Sequence, residues 1–203
     1  MILELQHISH AFGSQPVLHD VSFGVDAGET VGLLGRNGAG KTTLLRIATL
    51  LLRPDSGQVL FDGHPMGPAD LVAIGYLPEE RGLYRRMRVG EQAMYLMQLK
   101  GLSRRDAEAA LRRWFDRLGM GDWWDSPTSR LSKGMQQRLQ LVVSVAHNPR
   151  LLILDEPFSG FDDDAAAMLR RELKALADSG TAILLSTHNR QASDELCNKT
   201  IQL

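Results

Sequence analysis

The sequence predicts an α/β fold with a largely parallel sheet, and three observations carry that expectation. Short apolar runs alternate with helical stretches over residues 1–82 and 148–203, a glycine-rich loop joins one such run to a helix, and residues 83–147 read as purely helical. The expected organisation is a single domain: a core of 1–82 and 148–203 with a helical subdomain, 83–147, inserted between its strands. A chain of 203 residues is long enough to bury a sizeable interior.

In order along the chain, residues 2–8 and 17–25 read as strands, the second alternating through Leu18, Val21, Phe23 and Val25 as a half-buried strand does. Thr30–Leu34 is a short apolar run of the doubly covered kind. Thr42–Leu52 reads as a helix that Pro54 prevents from continuing. Gln58–Phe61 and Ile74–Leu77 are further strands. Within the helical block, Ser103 is a good N-cap, Ala107, Ala110, Leu111, Trp114, Phe115 and Leu118 recur at helical spacing, and Gly119 closes the helix. A second helix runs from about Ser132 to Ala146. Strand–helix alternation then resumes: Leu151–Leu154 as a buried strand, Asp162–Ala177 as a helix with acids in its first turn, Ala182–Ser186 as another buried strand, 191–197 as a helix and 200–203 as a last strand.

Composition narrows the class of function. With 43% hydrophobic and 23% charged residues the chain is an ordinary globular one. A net charge of −1 and a pI near 6.6 supply no basic field for nucleic acid. One cysteine, Cys197, rules out an internal disulfide and a cysteine-ligated metal cluster, and fits a reducing compartment. The amino-terminal residues lack the pattern of a signal peptide, and the apolar stretches fall short of the roughly 20 residues needed to cross a bilayer. The chain is expected to be soluble and cytoplasmic, without direct membrane insertion.

The chemistry starts at Gly35-Arg36-Asn37-Gly38-Ala39-Gly40-Lys41-Thr42, which matches G-x-x-x-x-G-K-[ST] after a strand and at the opening of a helix. Glycines let backbone N–H groups converge on an anion, and the helix N-terminus adds positive potential. Lys41 is expected to reach the β- and γ-phosphates, and the Thr42 hydroxyl to ligate Mg²⁺, with Thr43 next along the helix. ATP and Mg²⁺ are thus the expected cofactors.

Leu151-Leu152-Ile153-Leu154-Asp155-Glu156 is an apolar run ending in two acids, at the strand end where ligands of α/β sheets bind. Adjacent strand residues face opposite ways, so Asp155 is suited to the metal and Glu156 to the attacking water. Leu131-Ser132-Lys133-Gly134-Met135 opens a helix, with Ser132 as N-cap, and makes a second anion-facing element. Since the first loop already takes one side of the terminal phosphate, this element is expected to serve the nucleotide of another copy.

The order of residues 35–42, 131–138, 151–156 and then His188 resembles the nucleotide-binding domain of ABC transporters. Residues 131–135 resemble the family signature Leu-Ser-Gly-Gly-Gln; Ser132 and Gly134 match it, and Lys133 and Met135 depart from it. The resemblance implies a P-loop NTPase core with an N-terminal antiparallel β portion. It implies a γ-phosphate contact for His188, adenine stacking on Phe12 with Val17 nearby, and a partner contact through Asp162 in Ser159-Gly160-Phe161-Asp162. From the residues alone, a core phenylalanine is the lesser alternative for Phe12, and Asp162 reads equally as a helix N-cap. Glu79, in Leu77-Pro78-Glu79-Glu80, stands where the family ordinarily has a glutamine that touches Mg²⁺ or water; a carboxylate keeps the acceptor oxygens and loses the amide donor.

The stretch Leu77-Pro78-Glu79-Glu80-Arg81-Gly82-Leu83-Tyr84 is similar to one in a branch with sodium, bacteriocin and drug exporters. The implied assembly is a homodimer that closes around two ATP, coupled to separate permease subunits on the inner face of the membrane. Arg81, Arg85, Arg86 and Arg88 read as a solvated face or as a contact with such subunits. Trp114, Trp123 and Trp124 read as lobe packing. The rival functions are a non-transport ABC ATPase, a P-loop small-molecule kinase and a subunit that binds ATP without hydrolysing it. Family members ordinarily run on for tens of residues past the histidine, so the strands after 188 are expected to be thin.

Overall fold

The computed structural model describes residues 1–80 and 82–203, so Arg81 of the basic run lies outside the described residues. Two sheets carry the fold. Strands β1 (Leu3–Phe12), β2 (Gln15–Val25), β4 (Ser56–Phe61) and β5 (His64–Pro65) form an antiparallel sheet ordered β2-β1-β4-β5. Strands β3 (Thr30–Leu34), β6 (Ile74–Leu77), β7 (Leu151–Asp155), β8 (Ala182–Thr187) and β9 (Lys199–Gln202) form a parallel sheet ordered β6-β7-β8-β3-β9.

The short apolar runs are explained by burial on both faces. In β7, Leu152 and Leu154 point into one hydrophobic core while Leu151 and Ile153 point into another. In β8, Ile183 and Leu185 divide from Ala182 and Leu184 in the same way. With side chains alternating across a strand and both faces covered, each of these positions must be apolar. One core holds the antiparallel sheet and helix α1 (Lys41–Ala48) against the parallel sheet. The other joins helices α2 (Val89–Leu99), α3 (Arg104–Arg117) and α4 (Lys133–Val145) to its opposite face, together with α5 (Asp163–Asp178). The helical lobe therefore shares its core with the sheet.

Three local features differ from the expectation. Helix α1 stops at Ala48 rather than at residue 52. The Thr49 hydroxyl donates to the carbonyls of Leu45 (3.0 Å) and Arg46 (3.1 Å), Leu50 adopts a left-handed φ of 58°, and the Leu51 N–H folds back onto Arg46. The chain thus leaves the helix before Pro54 can act. Helix α2 was not anticipated as a separate element: Val89 and Gly90 at its start have poor helix propensity. Its signal is the buried series Val89, Ala93 and Met97, with Glu91 Oε2 accepting the Arg88 N–H at 3.1 Å. Finally, β1 runs on to Phe12, which carries that ring out to the sheet end.

The serine N-caps read from sequence are present: the Ser103 hydroxyl accepts the Asp106 N–H (3.2 Å) and the Ser132 hydroxyl accepts the Met135 N–H (3.3 Å). The tryptophans pack the lobe, Trp124 against Gly90 and edge-on to Phe115, with Arg112 stacked 3.7 Å over its ring. The last elements, α6 (Arg190–Leu196) and β9, are short, and β9 pairs parallel with β3 from Val31–Lys199 to Leu34–Gln202. No described helix is long and apolar enough to cross a membrane.

Candidate nucleotide site

The parallel register decides which side chains meet. β3 ends at Leu34 and feeds the loop 35–40; β7 ends at Asp155; and β8, paired with both, sets Asp155 opposite Ser186 and ends at Thr187, just before His188. Three strand ends therefore open on one cleft, of about 570 Å³. It is lined by Phe12, Gln15, Val17, Asn37, Gly38, Gly40, Lys41, Thr42, Thr43, Glu79, Glu156, Ser159 and His188.

The loop needs its glycines where it has them. Gly38 and Gly40 adopt left-handed φ values of 83° and 93°, and Gly40 is the N-cap of α1. A Cβ on Gly40 would also press against Val17 and Leu18 at about 3 Å, so β2 fixes the position of the loop. The Lys41 ammonium is curled inward and nearly buried; it donates to the carbonyls of Gly35 (2.8 Å) and Arg36 (3.3 Å). Ala39 N–H closes the loop onto the Arg36 carbonyl. Gly35, Arg36 and Ala39 thus shape the loop from behind.

On the opposite wall, Glu156 is held between Lys41 and His188. Its Oε1 lies 3.6 Å from Lys41 Nζ and its Oε2 lies 3.0 Å from His188 Nδ1. Its backbone is left-handed at φ 47°, a conformation that costs a residue with a Cβ roughly 1 kcal/mol or more. The Ser186 hydroxyl stabilises that turn by accepting the Glu156 N–H at 2.9 Å while donating to Asp155 Oδ1 at 2.6 Å. Asp155 Oδ2 is buried with no hydrogen-bond partner among the described residues. A buried carboxylate oxygen in that state has an unmet demand for a cation or a donor.

Mg²⁺ fits this donor set. It takes hard oxygen ligands, usually one or two carboxylates with the remainder from phosphate and water. Asp155 Oδ2 and the Thr42 hydroxyl are such oxygens; Thr42 and Glu79 line the cleft, and Asp155 is buried at the strand end next to Glu156, which also lines it. No group of three or more His, Cys, Asp or Glu side chains forms a metal cage among the described residues. An ion here would depend on the nucleotide's own oxygens.

Phe12 is 54% exposed, which overturns the core reading of that residue. It packs edge-to-face with His10, ring centroids 4.8 Å apart, and lines the cleft. Ser132, Gly134 and Asp162 are not on this cleft. Ser132 and Gly134 lie at the exposed start of α4, and Asp162 caps α5 by accepting the Ala165 N–H at 2.8 Å. Sequence reasoning missed Gln15, which lines the cleft from the start of β2, and the bridging role of Ser186. The first carries no motif, and the second depends on a cross-strand pairing.

Comparison with known proteins decides the family. The sequence model described as ABC transporter matches residues 18–159. The chain belongs to the ABC transporter ATP-binding family. Among curated proteins, this ABC domain is 40% identical over 196 residues to the ABC transporter ATP-binding protein YhaQ of Bacillus subtilis, covering 97% of the chain and 66% of YhaQ. It is 36% identical over 200 residues to Nod factor export ATP-binding protein I of Sinorhizobium fredii, covering 97% of the chain and 58% of that protein. The chain thus spans less than two-thirds of the length of these relatives. A solved structure of an ATP binding subunit of an ABC transporter superposes with a TM-score of 0.93 at 31% identity, covering 100% of this chain and 86% of that one.

Proposed function

We propose that this ABC domain hydrolyses ATP as a face-to-face dimer and drives transport, in the export direction, through separate membrane subunits. The observation that carries the hydrolytic reading is the placement of the Glu156 carboxylate between Lys41 and His188 at the cleft wall. A carboxylate so held can accept a proton from water, and the lysine and histidine can stabilise charge that grows on the departing phosphoryl group. Phe12 and Val17 take the adenine side, the loop 35–42 with Thr43 takes the phosphates, and Asp155, Thr42 and Glu79 are the oxygens toward Mg²⁺. When bound, that ion would neutralise phosphate charge and orient the terminal group.

The exposed start of α4 supports the dimer reading. Ser132 and Gly134 stand at an exposed helix start away from the chain's own cleft, where amide groups are free to meet an anion presented by a second copy. Asp162 lies on the neighbouring loop. Each nucleotide then adds contacts present only in the closed pair, which shifts the population toward closure, and hydrolysis removes the bridge. The lobe 83–147 moves with the membrane subunits, and its exposed Arg85, Arg86 and Arg88 suit contact with them. The naming of a relative for Nod factor export supports the direction. Such a chain works on the inner face of the membrane.

The test is phosphate release measured with no acceptor present, across a dilution series. Hydrolysis whose rate per chain falls on dilution is expected; phosphate transfer only to an added acceptor would replace this reading with a kinase. Glu156→Gln is expected to lower turnover about 100-fold or more while retaining ATP and accumulating dimer on size exclusion. Normal turnover by that variant would remove Glu156 from its role.

A further inference from the structure

The nucleotide cleft is joined by a second cavity, also of about 570 Å³, and the two share Glu79 and Ser159 in their walls. The second is polar, with Glu79, Glu80 and Arg85 on one side and Lys133 with Gln136 and Gln137 on the other. The acids and Arg85 come from the segment between β6 and α2. Lys133 comes from a different element, as the first residue of α4. Among the described residues neither Glu79 nor Lys133 has an ion-pair partner.

Each of the two charges is poorly placed by itself. A lysine in the first turn of a helix adds positive charge to the positive end of the helix dipole, which is unfavourable. A carboxylate on the rim of a phosphate site repels the anion that must enter. Both residues are exposed, so their side chains are free to reorient within the cavity they share. Drawn together, they relieve both conflicts.

We propose that Lys133 is a positioning residue for Glu79: across the shared cavity its ammonium draws the carboxylate out of the nucleotide cleft, so that an incoming triphosphate meets less negative charge. This rests on the nucleotide reading of that cleft.

The test is equilibrium binding of a non-hydrolysable ATP analogue to dilute protein in EDTA, for wild type, Lys133→Met, Glu79→Gln and the double variant. Lys133→Met should weaken metal-free binding by about threefold, the size expected of one exposed charge pair. The same change should have no effect in the Glu79→Gln background, and the difference should vanish in about 0.5 M salt. Melting temperatures check that the exposed substitutions leave the fold intact. Equal losses in both backgrounds, or no loss in either, would overturn the proposal. The second of these outcomes, together with loss of turnover only in concentrated protein, would assign Lys133 to the nucleotide of a second copy instead. Wild type that fails to bind in EDTA but binds in Mg²⁺ would overturn the proposal; wild type that fails to bind in Mg²⁺ as well, or Lys41→Ala that binds equally well, would overturn the nucleotide reading itself.

Discussion

The Ser186 hydroxyl donates to Oδ1 of Asp155 at 2.6 Å, and through that bond a residue of β8 sets the direction of the carboxylate at the end of β7. The same oxygen accepts the Glu156 N–H at 2.9 Å, so one fully buried hydroxyl fixes both acids. Ser186→Ala removes the donor and the acceptor together. It should cost about 2 kcal/mol in urea unfolding and weaken Mg²⁺-dependent nucleotide binding. Unchanged stability would mean that water replaces the hydroxyl.

Ser132→Arg should abolish turnover, by about 100-fold or more, and leave nucleotide binding to dilute protein nearly intact. The residue lies off the chain's own cleft, and its loss as an N-cap should cost only about 1 kcal/mol. Binding lost in dilute protein would place the serine on its own subunit's nucleotide.

His147 gives a pH dependence. Burial, with the Lys100 ammonium beside it, lowers its pKa from the usual 6.5 to about 4. The ring is held neutral with Nε2 3.2 Å from the Ile74 carbonyl, and Lys100 donates to the carbonyls of Leu71 and Ile74 at 2.6 Å. The folded form binds fewer protons here than the unfolded chain, so this stability is present above pH 6.5 and is lost as the pH falls toward 4. Unfolding at pH 5 should show about 2 kcal/mol less stability than at pH 7 from this group, and His147→Gln should flatten that slope. An identical slope in the variant would assign the loss to other groups.

Gly75 of β6 lies against the backbone of α4, where the helical lobe packs on the sheet. A Cβ there would overlap the Ser144 carbonyl oxygen of α4 and press on Leu152 Cδ1. The obstacle is largely backbone, so Gly75→Ala should cost about 3 kcal/mol or more, read as a lowered melting temperature. A loss below about 1 kcal/mol would show that α4 shifts freely against β6.

The phosphate loop, the two acids and the helix caps at Ser103, Ser132 and Asp162 were legible in the sequence because each is a local event. A glycine must stand where φ is positive, a hydroxyl or carboxylate where a helix begins, and apolar residues where a strand is covered on both faces. The same locality gave the α/β class and the helical block. Helix α2 was hidden because Val89 and Gly90 are poor helix formers whose place is set by packing against Trp124 and the lobe core. The end of α1 was misplaced because the left-handed Leu50 and the back-bonded Thr49 stop the helix before its proline.

What tertiary structure alone decided is which of these local pieces meet. The parallel order β6-β7-β8-β3-β9 sets β8 beside β7, and only that register puts Ser186 on Asp155 and His188 on Glu156. It also leaves Asp155 Oδ2 without a partner among the described residues, brings Phe12 to the lining of the cleft instead of the core, and gives Glu79 a cavity in common with Lys133. A sequence pattern fixes the face a side chain takes on its own strand or helix. Strand order and the packing of the lobe against the sheet, which depend on contacts between residues far apart in the chain, determine what that face meets.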